Sequence, residues 1–302
     1  FSEYDGDIDS LHTDDLNARS LGAARAGLRY YSDAGTVFTL SGSWLRDENT
    51  MPFYLLRGAS DFPISGILHE PDQVTTHGDV ILKIEHEFET FSLASTTAWQ
   101  TNELDSRLDN TDSLIMPGFP SDEAHLVDQE EIFSQELRLN SLDGAPVRWV
   151  VGVSAMYSDL ERYCTETQCD PVPGVKAHAD LETTNIGLFG DVTIPLGQSW
   201  EVFGGARLSY DDIEMHKYSD SGDALLEGRK SADDTYMTGH VGLRYIWSEN
   251  ASSYVSVARG HASQIFPLFG YPVGGKLDDA YPASESWTYE AGTKLSFLGG
   301  RA

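Results

Sequence analysis

The chain has 302 residues and carries 48 Asp and Glu against 20 Lys and Arg, a formal net charge of −28. Phosphate binding needs a Lys/Arg-rich face, so this balance argues against a nucleic-acid partner. At 40% hydrophobic and 11% aromatic residues the chain is too apolar for a disordered acidic tail, and no run approaches the roughly 18 apolar residues of a membrane helix. Membrane-crossing strands, whose alternation keeps the average hydropathy low, remain open.

The segment from Phe1 to Asp15 has no Met, basic region or apolar stretch. It is expected either to follow a removed signal or to begin an internal piece of a longer protein. Asp5, Asp7 and Asp9 start like a calcium loop, but Ser10 and Leu16 stand where Gly and Glu are required, so a solvated acidic loop is the expectation.

From there the apolar residues recur with a period of two. Val80, Leu82, Ile84, His86 and Phe88 alternate with Lys83, Glu85 and Glu87. Trp149, Val151, Val153, Ala155 and Tyr157 repeat the pattern, as do Ile186, Leu188, Gly190, Val192 and Ile194. It returns in Trp200, Val202, Gly204, Ala206, Leu208 and Tyr210, in Val241, Leu243, Tyr245 and Trp247, and in Tyr289, Ala291, Thr293, Leu295 and Phe297. Such alternation predicts strands with one apolar and one polar face, and no segment predicts an amphipathic helix. The chain is expected to be all-β.

The connections are of two alternating kinds. Short Gly/Asn/Asp/Ser turns fall at 32–35, 89–90, 142–145, 196–199, 248–251 and 299–300, about every 50 to 56 residues. Long connections fall near 47–75, 104–127, 161–181, 213–233 and 261–283 and hold most of the Pro. With strands of roughly 10 to 14 residues, this asymmetry predicts an antiparallel transmembrane β-barrel with short periplasmic turns and long extracellular loops. Lipid cannot satisfy backbone N–H and C=O groups, so such strands must pair with apolar side chains outward. Trp44, Trp99, Trp149, Tyr157, Trp200, Tyr210, Tyr245, Trp247 and Tyr289 are the expected interfacial aromatics. Lys83, Glu85, Glu136, Arg138, Arg207, Arg244, Glu290 and Lys294 are expected to line the lumen. A soluble β-sandwich is the alternative, but it leaves the one-sided loop lengths unexplained.

Three segments then resemble one family. Phe133-Ser-Gln-Glu-Leu-Arg-Leu-Asn-Ser141 followed by Arg148-Trp149-Val-Val-Gly152, Ser253-Tyr-Val-Ser-Val-Ala-Arg-Gly260, and Ser284-Glu-Ser-Trp-Thr-Tyr-Glu-Ala-Gly-Thr-Lys294 are similar, in this order, to barrel strands of TonB-dependent outer-membrane receptors. The resemblance implies a barrel of about 22 strands behind an N-terminal plug. About eleven strands are expected across residues 1–302, with the plug and the C-terminal strands absent. It further implies an active-transport receptor of the bacterial outer membrane, not an enzyme, that imports a scarce bulky ligand, a ferric siderophore being the commonest. TonB, acting through the missing plug, and outer-membrane lipid with lipopolysaccharide are the implied partners. No cofactor is implied. A passive porin and a secreted β-rich binding module are the alternatives.

On the barrel reading, Tyr54, Phe119, Tyr163, Tyr218, Phe266 and Phe269 are loop aromatics able to grip a bulky ligand, with ordinary loop packing as the alternative. Cys164 and Cys169 are expected to close a small disulfide in an extracellular loop, with two free thiols as the alternative. His69, His125, His178, His216 and His261 are expected to be solvated loop residues. No metal site is expected. Gly270 to Lys276 fits a phosphate-loop spacing but has Leu277 where Ser or Thr is required, so a flexible outer loop is expected. No catalytic constellation is present in the sequence.

Overall fold

A computed structural model of the chain describes residues 1–14, 16–50, 55, 58, 62–165 and 175–296. Its strands, in chain order, are β1 (Ser2–Tyr4), β2 (Asp9–Ser10), β3 (Arg19–Tyr31), β4 (Thr36–Asn49), β5 (Ile64–Ser65), β6 (Asp72–Glu87) and β7 (Phe91–Asp109). They continue as β8 (Glu123–Ser141), β9 (Arg148–Cys164), β10 (Ala177–Leu196), β11 (Trp200–Ser219), β12 (Gly228–Ser248), β13 (Ala251–Ala262) and β14 (Ser284–Leu295). A single 3₁₀ turn, Ala224–Leu226, is the only helix among the described residues. Twelve strands form one sheet in the order β1-β3-β4-β6-β7-β8-β9-β10-β11-β12-β13-β14, each pair antiparallel; β2 and β5 pair separately in parallel.

This is an up-and-down meander whose tight turns lie at one end. Gly35, Gly144 and Gly197 have φ of 78°, 82° and 74° there, a region that costs glycine nothing because it has no Cβ. At the other end the strands are joined through the longer intervals Asn49 to Asp72, Asp109 to Glu123, Cys164 to Ala177, Ser219 to Gly228 and Ala262 to Ser284.

Cross-strand partners share a face. Phe38, Ile84, Ser95, Leu137, Val153, Leu188, Leu208 and Met237 are successive partners across eight strands. This face is bare: Leu188 is 54% exposed, Leu208 52% and Met237 54%. A soluble protein does not leave a contiguous apolar face of this extent in water, so the face is built for lipid. Four residues further along the strands, Val80 and the aromatic residues Trp99, Phe133 and Tyr157 form a row. Two residues beyond it, Glu131, Asp159, Glu182 and Glu214 stand side by side. Carboxylates cannot remain ionised in hydrocarbon, so the apolar belt ends between these rows. On β11 the belt runs from Trp200 to Tyr210, close to the 9–11 residues that a tilted strand needs to cross.

The strands do not stop at the belt. β7 and β8 have 19 residues each, β10 and β11 have 20 each and β12 has 21, well beyond the 10 to 14 expected. Much of 104–127, 161–181 and 213–233, expected as loop, is therefore strand. The physical reason is visible on β11. Up to Tyr210 the even-numbered residues are apolar and face outward. Past it Asp212, Glu214, His216 and Tyr218 face outward, while Ile213 and Met215 face inward and are buried. Outside is now water and inside is packed protein, so the alternation inverts.

Within the belt the inner face is polar, as expected of a lumen. Lys83 pairs with Glu85 at 2.6 Å and Arg138 with Glu136 at 3.6 Å. Arg244 and Arg148 converge on Glu201, and the Tyr254 hydroxyl donates to Glu290. Arg207 donates to Ser154 at 2.8 Å and Asn185 at 3.0 Å. Phe189, Phe203 and Tyr254 lie over their cross-strand partners Gly152, Gly242 and Gly292, where a Cβ would meet each ring within 2.8 Å. The glycines let the rings flatten against the wall and restore the contacts a bare glycine lacks.

Candidate functional site

Beyond the belt, the inner wall of β9 to β12 carries a second surface. Ala179, Leu181, Ile213, Met215 and Phe266 are buried together there, and Leu160, Ala232, Leu268, Leu277 and Ala280 pack around them. Four of these ten residues, Phe266, Leu268, Leu277 and Ala280, come from the 263–283 connection, which folds back onto the wall. Apolar burial of roughly 1.5–3 kcal/mol per large side chain holds it, and polar bonds fix its position. Ser263 donates to Asp211. Gly275 N–H donates to the Leu225 carbonyl at 2.8 Å, and Tyr281 N–H to the Ile265 carbonyl at 2.9 Å.

Lys217 is the principal fastening. Its side chain is buried and its three N–H groups donate to the carbonyls of Pro267 at 2.7 Å, Phe269 at 3.0 Å and Gly270 at 3.1 Å. It stands well past Tyr210, outside the belt, and burial pulls its pKa from 10.5 down to about 8. Lys230 makes a second fastening, paired with Asp279 and donating to the Leu277 carbonyl at 3.4 Å. Asp279 is held below the usual carboxylate range, first by its hydrogen bond from Lys230 and then by that cation's charge. Arg162, on β9, forms a bidentate pair with Asp128, and its guanidinium lies 4.9 Å from the centre of the Phe269 ring.

A second assembly lies at the same end, toward β3 to β8. Asp112 accepts hydrogen bonds from the Ser65 hydroxyl at 3.0 Å, Gly66 N–H at 2.8 Å and Leu114 N–H at 2.8 Å. Asp109 accepts from Thr111 N–H at 3.0 Å, the Ser121 hydroxyl at 3.1 Å and His69 N–H at 3.2 Å. A Cβ on Gly66 would stand 2.7 Å from Asp112 and 2.8 Å from Leu114 N, so the approach requires glycine. Ile8, Leu16 and Ile67 are buried beneath, joining the N-terminal segment to this loop pair. These carboxylates order loops and leave none of the open geometry of a reaction centre.

The aromatic residues singled out from the sequence are dispersed. Tyr54 lies outside the described residues. Phe119 is 65% exposed on the 110–122 connection. Tyr163 and Tyr218, expected in loops, are on β9 and β11 and face outward, because the strands run on past the belt. His178 stacks on Tyr218 at 4.5 Å and reaches Tyr163 at 6.3 Å. Phe266 is 2% exposed and serves the core of the folded connection, whereas Phe269 is 52% exposed beside Arg162. Cys164, at the end of β9, is buried, and no free cysteine stands among the described residues; Cys169 lies outside them.

The histidines differ from expectation. His125, His178, His216 and His261 sit on strands, and each faces a carboxylate: Asp105 at 2.8 Å, Asp220 at 3.0 Å, Glu227 at 3.3 Å and Asp234 at 2.8 Å. Only His69 is in a loop, 3.4 Å from Asp109. Asp7 accepts from the Asn17 amide at 2.8 Å, and no cluster of three or more His, Cys, Asp or Glu able to hold a metal occurs among the described residues. Sequence reasoning missed Arg162 and Lys217. Both stand on the inner face of strand extensions past the belt, Arg162 on β9 and Lys217 on β11, in segments expected as loop.

The family model described as "TonB dependent receptor-like, beta-barrel" matches residues 14–302. The chain belongs to the TonB-dependent receptor β-barrel family. This barrel family is one of transport receptors. No curated protein matches the sequence significantly. Among solved structures, the chain is similar to the ferric yersiniabactin uptake receptor FyuA from Yersinia pestis, with a TM-score of 0.82 at 17% identity, over 98% of this chain and 46% of that one. It is similar also to the siderophore receptor PiuA from Acinetobacter baumannii (TM-score 0.71, 16% identity, 94% and 48% covered) and to the copper transporter OprC (0.62, 12%, 86% and 39%). These identities establish the fold alone. The chain of this TonB-dependent receptor barrel spans about half the length of FyuA and PiuA.

Proposed function

We propose that this chain forms part of the wall of a bacterial outer-membrane receptor that captures a scarce, bulky ligand, foremost a ferric siderophore, and imports it with energy transmitted by TonB. The observation that carries this reading is the division of each long strand: a lipid-facing belt near the tight turns, then a loop-covered inner surface at the opposite end. The belt anchors a rigid wall, and the inner surface beyond it is where a ligand too large for passive diffusion is held. Structural similarity to a ferric yersiniabactin uptake receptor and a siderophore receptor supports the cargo class, and the likeness to a copper transporter widens it to metal complexes. The polar lumen within the belt is suited to hydrogen-bonding a plug, through which TonB acts. Phe119 and Phe269, both exposed, are the aromatic groups best placed to touch cargo, and Cys164 pairs with Cys169 in this proposal. The long-loop end faces the cell exterior, where lipopolysaccharide surrounds the strands.

Titration calorimetry of the full-length protein against ferric siderophores, a copper chelate, haem, cobalamin and oligosaccharides tests the reading. Saturable binding of a ferric siderophore supports it. Binding of an oligosaccharide alone would overturn the iron assignment, and passage of small solutes without saturable binding would favour a porin.

A further inference from the structure

Arg162 and Lys217 are two cations on the inner wall of a strongly acidic chain, and both line one cavity of about 10 Å³ under the 263–283 connection, room for a single water. Their bonding is unusual in two ways. Lys217 has no carboxylate in hydrogen-bond reach among the described residues; all three of its donors are taken up by backbone oxygens of the connection. The Arg162 side chain is 10% exposed, two of its nitrogens bind Asp128, and its third, Nη1, is buried with no hydrogen-bond partner among the described residues. A buried, unmade guanidinium donor costs more than an ordinary missing bond, and it is retained beside a second cation where repulsion adds to that cost.

Resting on the receptor reading above, we propose that Arg162 and Lys217 form a subsite for the anionic oxygen atoms of the ligand, a carboxylate-bearing metal chelate, and that the 263–283 connection occupies it until the ligand displaces it. The carbonyls of Pro267, Phe269 and Gly270 hold the positions of ligand oxygens. When the connection lifts, Lys217 recovers three donors and Arg162 offers Nη1. A carboxylate then meets two charge-assisted donors, stronger than the neutral carbonyl contacts it replaces. The apolar residues uncovered around them, Leu181, Ile213 and Met215, receive the ligand's carbon skeleton.

The test uses the full-length receptor in detergent, with ferric citrate as the anionic carboxylate chelate and a neutral ferric trihydroxamate as the comparison. Ferric citrate is expected to bind, and its affinity to fall about 10- to 100-fold in Lys217→Gln. Arg162→Lys, which keeps the charge beside Asp128, is expected to lose less, and any affinity for the neutral complex to stay unchanged in both. Ferric citrate is also expected to speed hydrogen exchange of the Val273 and Gly275 amides, which bond to Lys276 and Leu225 in this structure. Unchanged ferric citrate affinity in Lys217→Gln, with the variant shown folded by its circular dichroism, would overturn the subsite. So would binding of the neutral complex with none of ferric citrate, an outcome that leaves the receptor reading standing. If neither ferric complex binds the wild type, the subsite is overturned, and the iron assignment is lost with it if no other metal complex binds either.

Discussion

The Lys217 ammonium donates to the Pro267 carbonyl at 2.7 Å. Residues fifty positions apart are thereby closed into a unit in which a strand beyond the membrane belt holds down the connection that covers it. A pH dependence follows from the two fastenings. Burial lowers the pKa of Lys217 from 10.5 to about 8, so the released state binds more protons between those values and docking tightens as pH rises from about 8 toward 10.5. Asp279 is lowered from 3.8 by Lys230, so its contribution is present above 3.8 and lost as pH falls through the lower docked value. A nitroxide on Val273→Cys in the full-length protein is expected to be most mobile in acid, steady at neutral pH and least mobile near pH 10. Mobility that grew above pH 8 would contradict the assignment.

The exposed apolar face makes a sharper demand. Val241 is 53% exposed midway along the belt, and in water an exposed valine tolerates replacement. In a bilayer, Val241→Arg is expected to cost about 2–4 kcal/mol in denaturant-driven unfolding of the full-length protein from liposomes. Ser231→Arg, on the same face of the same strand but beside Glu214, is expected to stay within about 0.5 kcal/mol. Equal effects at the two positions would remove the boundary drawn between the aromatic and acidic rows.

Arg207 can lie across the lumen wall because position 187 has no side chain: a Cβ there would stand 2.2 Å from Arg207 Nη2. Gly187→Ala is therefore expected to displace the guanidinium from Ser154 and Asn185 and destabilise the barrel. In Arg207→Ala the same change should be nearly silent, with a coupling of about 0.5–3 kcal/mol in a double-mutant cycle. Additive effects would show that the glycine is needed for another reason.

If Cys164 and Cys169 are paired, mass spectrometry after maleimide treatment of the denatured, unreduced protein will show no added label. Reduction beforehand will add two labels. Labelling without reduction would leave the free-thiol alternative.

The belt was legible because lipid on one side and a wet lumen on the other impose a period of two, which Trp200 to Tyr210 and Val241 to Trp247 display without interruption. The strand ends were not. At Asp211-Asp212-Ile213-Glu214-Met215 the apolar set moves from even to odd positions, and a reading tuned to one phase takes the change for a loop. Tyr163 and Tyr218 were misplaced for that reason. Phe266 was identified as an apolar loop residue, but its burial depends on Ile213 and Met215, about fifty residues earlier in the chain, and only the three-dimensional register brings them together. Lys217 carries no local signal, since its partners are backbone carbonyls that no side-chain pattern reveals.

The proposed receptor must import its cargo with energy from TonB. Uptake of a ⁵⁵Fe-loaded siderophore that binds the purified full-length protein should be measured in cells expressing it, with TonB present and with TonB deleted. Saturable uptake that is lost without TonB, while surface binding persists, is the expected result. Uptake that continued undiminished without TonB, in proportion to external concentration, would contradict it.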